Sequence, residues 1–209
     1  MKINLFINYF KCDDIERRKE YDFCLKRNKE SGYFNEIIQF NGRITYSDFF
    51  EQTAKYPDDI NVLSNLDIYF NDTILLAKEM TDNDAYALTR WEPKGHKIVP
   101  FERKHSGAQA MHSQDIWIIK GKARPVNGNF NLGVAGCDNR IAYELSLHYR
   151  VTNPSDKIQC IHKHKDEARN YTLKHKIMPP YMWVPVGEEA IRPGRQHQGR
   201  DPNFRRRNI

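Results

Sequence analysis

The chain has 209 residues, a formal net charge of +6 and an aromatic content of 12 %, which suits one globular domain with a real core and excludes a disordered chain. No apolar run approaches the ~18 residues of a membrane-spanning helix, and Met1-Lys2-Ile3-Asn4-Leu5-Phe6 is too short an apolar stretch for a secretory signal. Much of the positive charge sits in Arg192, Arg195, Arg200, Arg205, Arg206 and Arg207, against the single acid Asp201, so the body is near neutral and the basic balance says little about its ligand.

Ile3 to Phe10 reads as a first strand. Asp13 or Asp14 then caps a helix running to about Ser31, where Gly32 stops it. Glu36 to Phe40 is a second strand closed by Asn41-Gly42, and Ser47 to Tyr56 a short helix with Phe49, Phe50 and Thr53 inward. Ile60 to Asn65 is a strongly apolar third strand. Asp72 caps a helix through Met80 with Ile74, Leu75 and Ala77 buried, and Ala85 to Trp91 is a fourth strand. This alternation predicts an α/β fold with a mostly parallel central sheet and helices on both faces.

Pro93 to His112 is polar and lacks an apolar period, which reads as a long functional loop. Ile116 to Lys120 is again a strand, and Gly136-Cys137-Asp138-Asn139 opens a helix with Ile141, Ala142, Leu145 and His148 at helical spacing. Lys157 to Ile161 is the last predicted strand. From Met178 onward, Pro179, Pro180, Pro185 and Pro193 argue against joining the sheet. The expected division is a domain over 1–175 and a Pro- and Arg-rich extension over 176–209. Cys12, Cys24, Cys137 and Cys160 form no CxxC pair, which fits reduced thiols in a soluble intracellular protein rather than disulfides or a structural zinc.

The most informative stretch is Val62-Leu63-Ser64-Asn65-Leu66-Asp67, an apolar run ending on two oxygen-bearing side chains spaced i, i+2. Along a strand both would face one side. At a strand's carboxyl edge, where open α/β sheets bind ligands, such a carboxylate suits a hard divalent cation with positions left for phosphate oxygens. The plain alternative is a polar strand end that turns the chain. His162 and His164 flank Lys163 at strand spacing, and either can complete a metal site with Asp67 through a neutral ring nitrogen; as surface histidines they would do nothing. Asp138 is either an ordinary helix cap or a carboxylate able to accept a proton. Asp115, preceding Ile116-Trp117, either holds an acceptor hydroxyl or pairs with a loop lysine. Asn8, Tyr9, Arg43 and Thr45 follow strand ends, where a nucleotide base and a diphosphate need a platform and cations. Ser64 and Asn65 border the same place, and Arg90-Trp91 could line a sugar pocket. No Walker A loop, GxGxxG or GxSxG occurs, which weakens ATPase, dinucleotide and serine-hydrolase readings.

The order NLDIYF, HSQDIWIIKG, NLGVAGCDNRIAYEL, IHKH resembles the GT-A class of nucleotide-sugar glycosyltransferases, over about residues 1 to 175. More narrowly it is similar to glycosyltransferase domains of large chlorella-virus proteins that build capsid glycans. The resemblance implies a GT-A-like, Rossmann-like fold, a UDP-sugar donor, a glycan acceptor and Mn²⁺ or Mg²⁺, with Asn65-Leu66-Asp67 in the place of a DxD element. It implies Asp67 and His162 or His164 as metal ligands, Asp138 near the reacting carbon, and further domains after the Pro- and Arg-rich end. Two other readings are a sugar nucleotidyltransferase, which wants a glycine-rich basic loop that Asn8 to Asp14 lacks, and a nucleic-acid-binding module using the arginine-rich end, which leaves the acids unexplained.

Overall fold

A computed structural model describes residues 1–9, 13–101, 113–164 and 175–191. In chain order the elements are β1 (Ile3–Tyr9), α1 (Ile15–Glu30), β2 (Glu36–Asn41), α2 (Tyr46–Gln52), β3 (Ile60–Ser64), β4 (Ile68–Phe70), β5 (Asp84–Leu88), β6 (Trp91–Lys94), β7 (Lys97–Pro100), β8 (Ile116–Lys120), α3 (Cys137–Ser146), β9 (Arg150–Asn153), β10 (Cys160–His162) and β11 (Gly187–Ile191). Short 3-10 segments lie at Thr53–Lys55 and Asp72–Glu79.

The fold is α/β. Seven strands form one sheet in the order β11-β9-β5-β8-β3-β1-β2, and four form a second in the order β4-β10-β6-β7. The expected mostly parallel sheet is instead mixed. β1 runs parallel to β2 and β3, and β5 to β9, but β8 lies antiparallel between β3 and β5, and β11 is antiparallel to β9. An all-apolar strand fits the middle of a sheet in either direction, so Ile116–Lys120 carried no signal of its orientation.

Local chemistry sets the helices. Asp14 accepts from the Glu16 and Arg17 amides and starts α1. Thr45 and Asp48 make a reciprocal capping box at α2, the Thr45 hydroxyl accepting from the Asp48 amide and the Asp48 carboxylate from the Thr45 amide. The expected helix over 72–80 is a 3-10 segment, and its cap is Asn71 rather than Asp72, with Leu75 39 % exposed.

Two apolar cores lie on opposite faces of the main sheet. Phe6, Leu63, Trp117 and Ile119 meet α2 through Tyr46, Phe49 and Phe50, and α3 through Ile141, Ala142 and Leu145. Ile3, Leu5, Ile7, Val62 and Ile118 meet Tyr21 of α1, Ile74 and Ala77. Helices thus cover both faces. α1 also docks on β4, where buried Asn28 donates to the Ile68 carbonyl at 2.9 Å and accepts from the Phe70 amide at 3.1 Å.

Three further expectations change. Pro93 to His112 is not one open loop, because β6 and β7 form a hairpin turned by Gly95 at φ +62°; the rest of it, 102–112, lies outside the described residues. β9 was not anticipated, and Lys157 to Ile161 narrows to β10, Cys160–His162. The segment from Met178 does reach the sheet: Met182, Val184 and Ile191 are core residues, and β11 pairs with β9. Pro179, Pro180 and Pro185 precede the paired stretch and Pro193 follows it, so Gly187–Ile191 itself contains no proline. Part of the expected extension therefore builds the fold. The arginine-rich stretch 192–209 and Cys12 lie outside the described residues, while Cys24, Cys137 and Cys160 are buried free thiols. Among the described residues no helix is long and apolar enough to cross a membrane.

Candidate functional site

The sheet registers put several of the candidate residues on one edge. Ile7 lies beside Ser64, Ser64 opposite Ile116, and Leu88 opposite Ile116. The ends of β1, β3 and β5 and the start of antiparallel β8 therefore share a rim, which carries Asn8, Ser64, Asn65, Thr89 and Asp115. α3 leads into β9, parallel to β5, so its first turn with Asp138 also faces that end.

Asn65 and Asp67 do not point the same way. β3 stops at Ser64 and the chain turns, the Ile68 amide donating to the Asn65 carbonyl at 3.3 Å. The turn cancels the two-residue period and sends the two side chains into separate arrangements.

Asn65 joins Asp115. Its amide donates to Asp115 Oδ1 at 3.2 Å, while the Arg90 guanidinium donates to Asp115 Oδ2 at 3.0 Å. Arg90 is itself held by Glu92 at 3.2 Å and lies 3.8 Å over the Phe101 ring. Both carboxylate oxygens of Asp115 are thus engaged, by Arg90 rather than a lysine. Trp91 donates to the Ser155 carbonyl at 2.6 Å and, with Arg90, Pro100, Phe101 and Val186, lines a depression of about 160 Å³.

Asp67 joins a different group. The β10–β4 register sets His162 opposite Ile68, so that the Lys163 amide donates to the Asp67 carbonyl at 2.8 Å. Asp67 is 7 % exposed; its Oδ2 accepts from His162 Nε2 at 3.1 Å and from Arg17 of α1 at 3.0 Å. The other terminal nitrogen of Arg17 donates to Glu20 at 2.9 Å and to His164 Nδ1, and the two imidazole centroids lie 5.2 Å apart. Burial works against the Asp67 carboxylate, but the hydrogen bond and charge of His162 and the charge of Arg17 outweigh it and hold the carboxyl at about 2. Burial, then the Arg17 charge, lowers His164, which favours the neutral ring. Burial, and then the Asp67 charge, push the Cys24 thiol up, so no thiolate joins the cluster.

The chain matches no known protein-family model and no curated protein.

Asp67–His162 and Glu20–His164 are two acid–imidazole pairs with the Arg17 guanidinium between them. Among the described residues no three His, Cys, Asp or Glu side chains stand together in an arrangement that could hold a metal ion. Carboxylates and imidazoles are side chains that bind divalent ions elsewhere, and here the Arg17 guanidinium stands among them.

The remaining candidates divide. Asn8 is 8 % exposed and, among the described residues, its Oδ1 has no hydrogen-bond partner. Ser64 is buried and donates to the Asn65 carbonyl at 2.9 Å. Tyr9 packs half-buried against the α1-side core, Arg43 is exposed, and the Thr45 hydroxyl is used in its capping box. Asp138 is not the cap of α3, which is Gly136 at φ +83°; its Oδ1 accepts from the Cys137 thiol at 3.2 Å. A larger depression of about 370 Å³, lined by Lys120, Lys122, Arg124 and Tyr149, lies at the opposite edge of the sheet and belongs to none of this.

Sequence reasoning missed Arg17 and Glu20. The signal was present: Arg17, Glu20, Tyr21, Cys24 and Asn28 recur at helical spacing, and the last four are buried. Apolar patterning overlooks such a stripe because most of its members are polar.

Proposed function

We propose that the chain is a metal-dependent glycosyltransferase of GT-A type that moves a sugar from a UDP-sugar to a glycan hydroxyl. The observation that carries this reading is the meeting of Asp67 and His162, 95 residues apart in sequence, with His164 beside them, next to the strand ends where α/β sheets take ligands. The order of sequence elements that resembles the GT-A class supports it independently.

In this reading Asp67 and a histidine of the His162/His164 pair hold Mn²⁺ or Mg²⁺, which supplies Lewis-acid stabilisation of the leaving diphosphate. Asn8, with its unpaired buried acceptor, orients a donor group of the nucleotide. Arg90 fixes Asp115 rigidly, so Asp115 serves as an orienting carboxylate beside the Trp91 depression, which suits the apolar face of a sugar ring. Asp138, in the first turn of α3, accepts the acceptor's proton.

Calorimetry tests the reading. UDP affinity of the native chain rises when Mn²⁺ is present, and Asp67→Ala removes that rise. Equal UDP affinity with and without Mn²⁺ in the native chain would overturn the assignment.

A further inference from the structure

The depression at Trp91 is walled by apolar surface. The β6–β7 register sets Trp91 opposite Pro100, and Phe101 and Val186, the latter 46 % exposed, complete the wall. The indole cannot swing, because its N–H is held by the Ser155 carbonyl at 2.6 Å. A ring already fixed loses little entropy when a ligand stacks on it. The volume, about 160 Å³, is well below the roughly 300 Å³ at which pockets for drug-sized molecules begin. There is room for a single ring.

The polar groups around this wall are not equivalent. The Thr89 hydroxyl is spent, donating to the Ser113 carbonyl at 3.0 Å and accepting from Asn153 at 2.9 Å. The charge of Arg90 is answered by Asp115 and Glu92, and one face of its guanidinium lies against the Phe101 ring. Ser155 and Asp156 differ. Among the described residues no hydrogen bond or ion pair engages the Ser155 hydroxyl or the Asp156 carboxylate, although Ser155 is only 4 % exposed, and both residues line the depression.

Those two groups select the ligand. A carboxylate accepts and a hydroxyl does either, so together they suit a molecule carrying adjacent O–H donors. The rings of the wall suit a flat array of C–H bonds. Arg90 disfavours a cation and the unpaired Asp156 an anion, which leaves a neutral molecule. A pyranose combines the three properties: a C–H face, hydroxyls around its edge and no charge. Trp91 pairs with Ile161, so these side chains share one face of the second sheet, while His162, the next residue on β10, points to the other. A ring bound at Trp91 is therefore separate from a group bound at Asp67 and His162.

We propose that the depression is a subsite for one neutral pyranose of the glycan acceptor, with its C–H face on Trp91 and its hydroxyls on Ser155 and Asp156, and that this ring is not the one that reacts. Its place in an acceptor rests on the glycosyl-transfer reading above; the binding of a neutral sugar ring does not.

The test is an NMR titration of the full chain with the methyl glycosides of the common neutral hexoses and pentoses, each in high-millimolar excess, followed at the Trp91 indole N–H. At least one glycoside shifts that resonance saturably, and saturation transfer marks its ring C–H protons. Asp156→Ala, at an exposed side chain without protein partners, weakens binding about tenfold, the loss of a charge-assisted hydrogen bond. Ser155→Ala weakens it about threefold. No saturable shift with any glycoside, an affinity that Asp156→Ala leaves unchanged, or a shift with tetramethylammonium alone overturns the subsite. If UDP affinity depends on Mn²⁺ while no glycoside binds, the transferase reading stands and the subsite falls. If a glycoside binds with these losses while UDP affinity ignores Mn²⁺, the sugar site stands and its place in an acceptor falls.

Discussion

Replacing Asp67 with Asn keeps the shape of the side chain and removes its charge from between Arg17 and His162. The carboxyl ordinarily titrates at 3.8 and is held at about 2 in the fold. At ~1.4 kcal/mol per pH unit, that displacement contributes about 2.5 kcal/mol to stability at neutral pH. The side chain is only 10 % exposed, so solvent screening takes little from this figure. Because the folded value is depressed, the contribution is complete above the unfolded value near 4 and disappears as the pH falls through 2. Urea unfolding of the native chain and Asp67→Asn, repeated at steps from pH 6 to pH 2, reads this directly. The native chain is more stable by about 2 kcal/mol at pH 6, and the gap closes below pH 4. A gap that stays constant down to pH 2 would mean that the Arg17–Asp67–His162 contacts do not hold the carboxylate ionised, and the electrostatic argument would fail.

Asn28→Ala strips the Ile68 carbonyl and Phe70 amide of their buried partner, so it costs about 2–4 kcal/mol and speeds exchange of the Phe70 amide proton; a loss under ~0.5 kcal/mol would show that α1 does not dock on β4 through this side chain. Met182→Ala empties a fully buried site against the α2–α3 core and lowers stability by about 2–4 kcal/mol. An unchanged urea midpoint would return the segment after residue 175 to the surface.

What could be read from sequence follows from how each element is encoded. β1, β3 and β8 are mostly apolar runs, broken only by Asn4 and Asn8 in β1, Asn61 in β3 and polar strand ends, and were placed to within about a residue at each end. β1 and β3 run parallel as expected, but the direction of β8 was not legible, because an apolar strand looks the same both ways. β6 and β7 carry Glu92, Lys94 and Lys97 on a largely exposed hairpin, so polarity disguised them as loop. β11, GEEAI, buries only Ile191 and offers no alternation. At the site, the meeting of Asp67 with His162, with His164 beside it, was anticipated from residue type and spacing. Their partners on α1 were hidden, because an arginine and a glutamate on a helix ordinarily mean a solvated face. The expected pairing of Asn65 with Asp67 failed for a local reason: period two ends where the strand ends, and β3 ends one residue too early.

That early ending gives the rim two halves of different character. On the Asn65 side, Asp115 has both oxygens occupied, and Arg90 is braced by Glu92 and the Phe101 ring. An exchange of partners there would leave a buried arginine without its acid, which is costly. On the Asp67 side the bridging arginine is Arg17, whose Nε has no hydrogen-bond partner among the described residues and which shares Asp67 Oδ2 with His162. The same turn that parts Asn65 from Asp67 thus sets two arginine–carboxylate groups side by side at the strand ends, one built on Asp115 and Arg90, the other on Asp67 and Arg17.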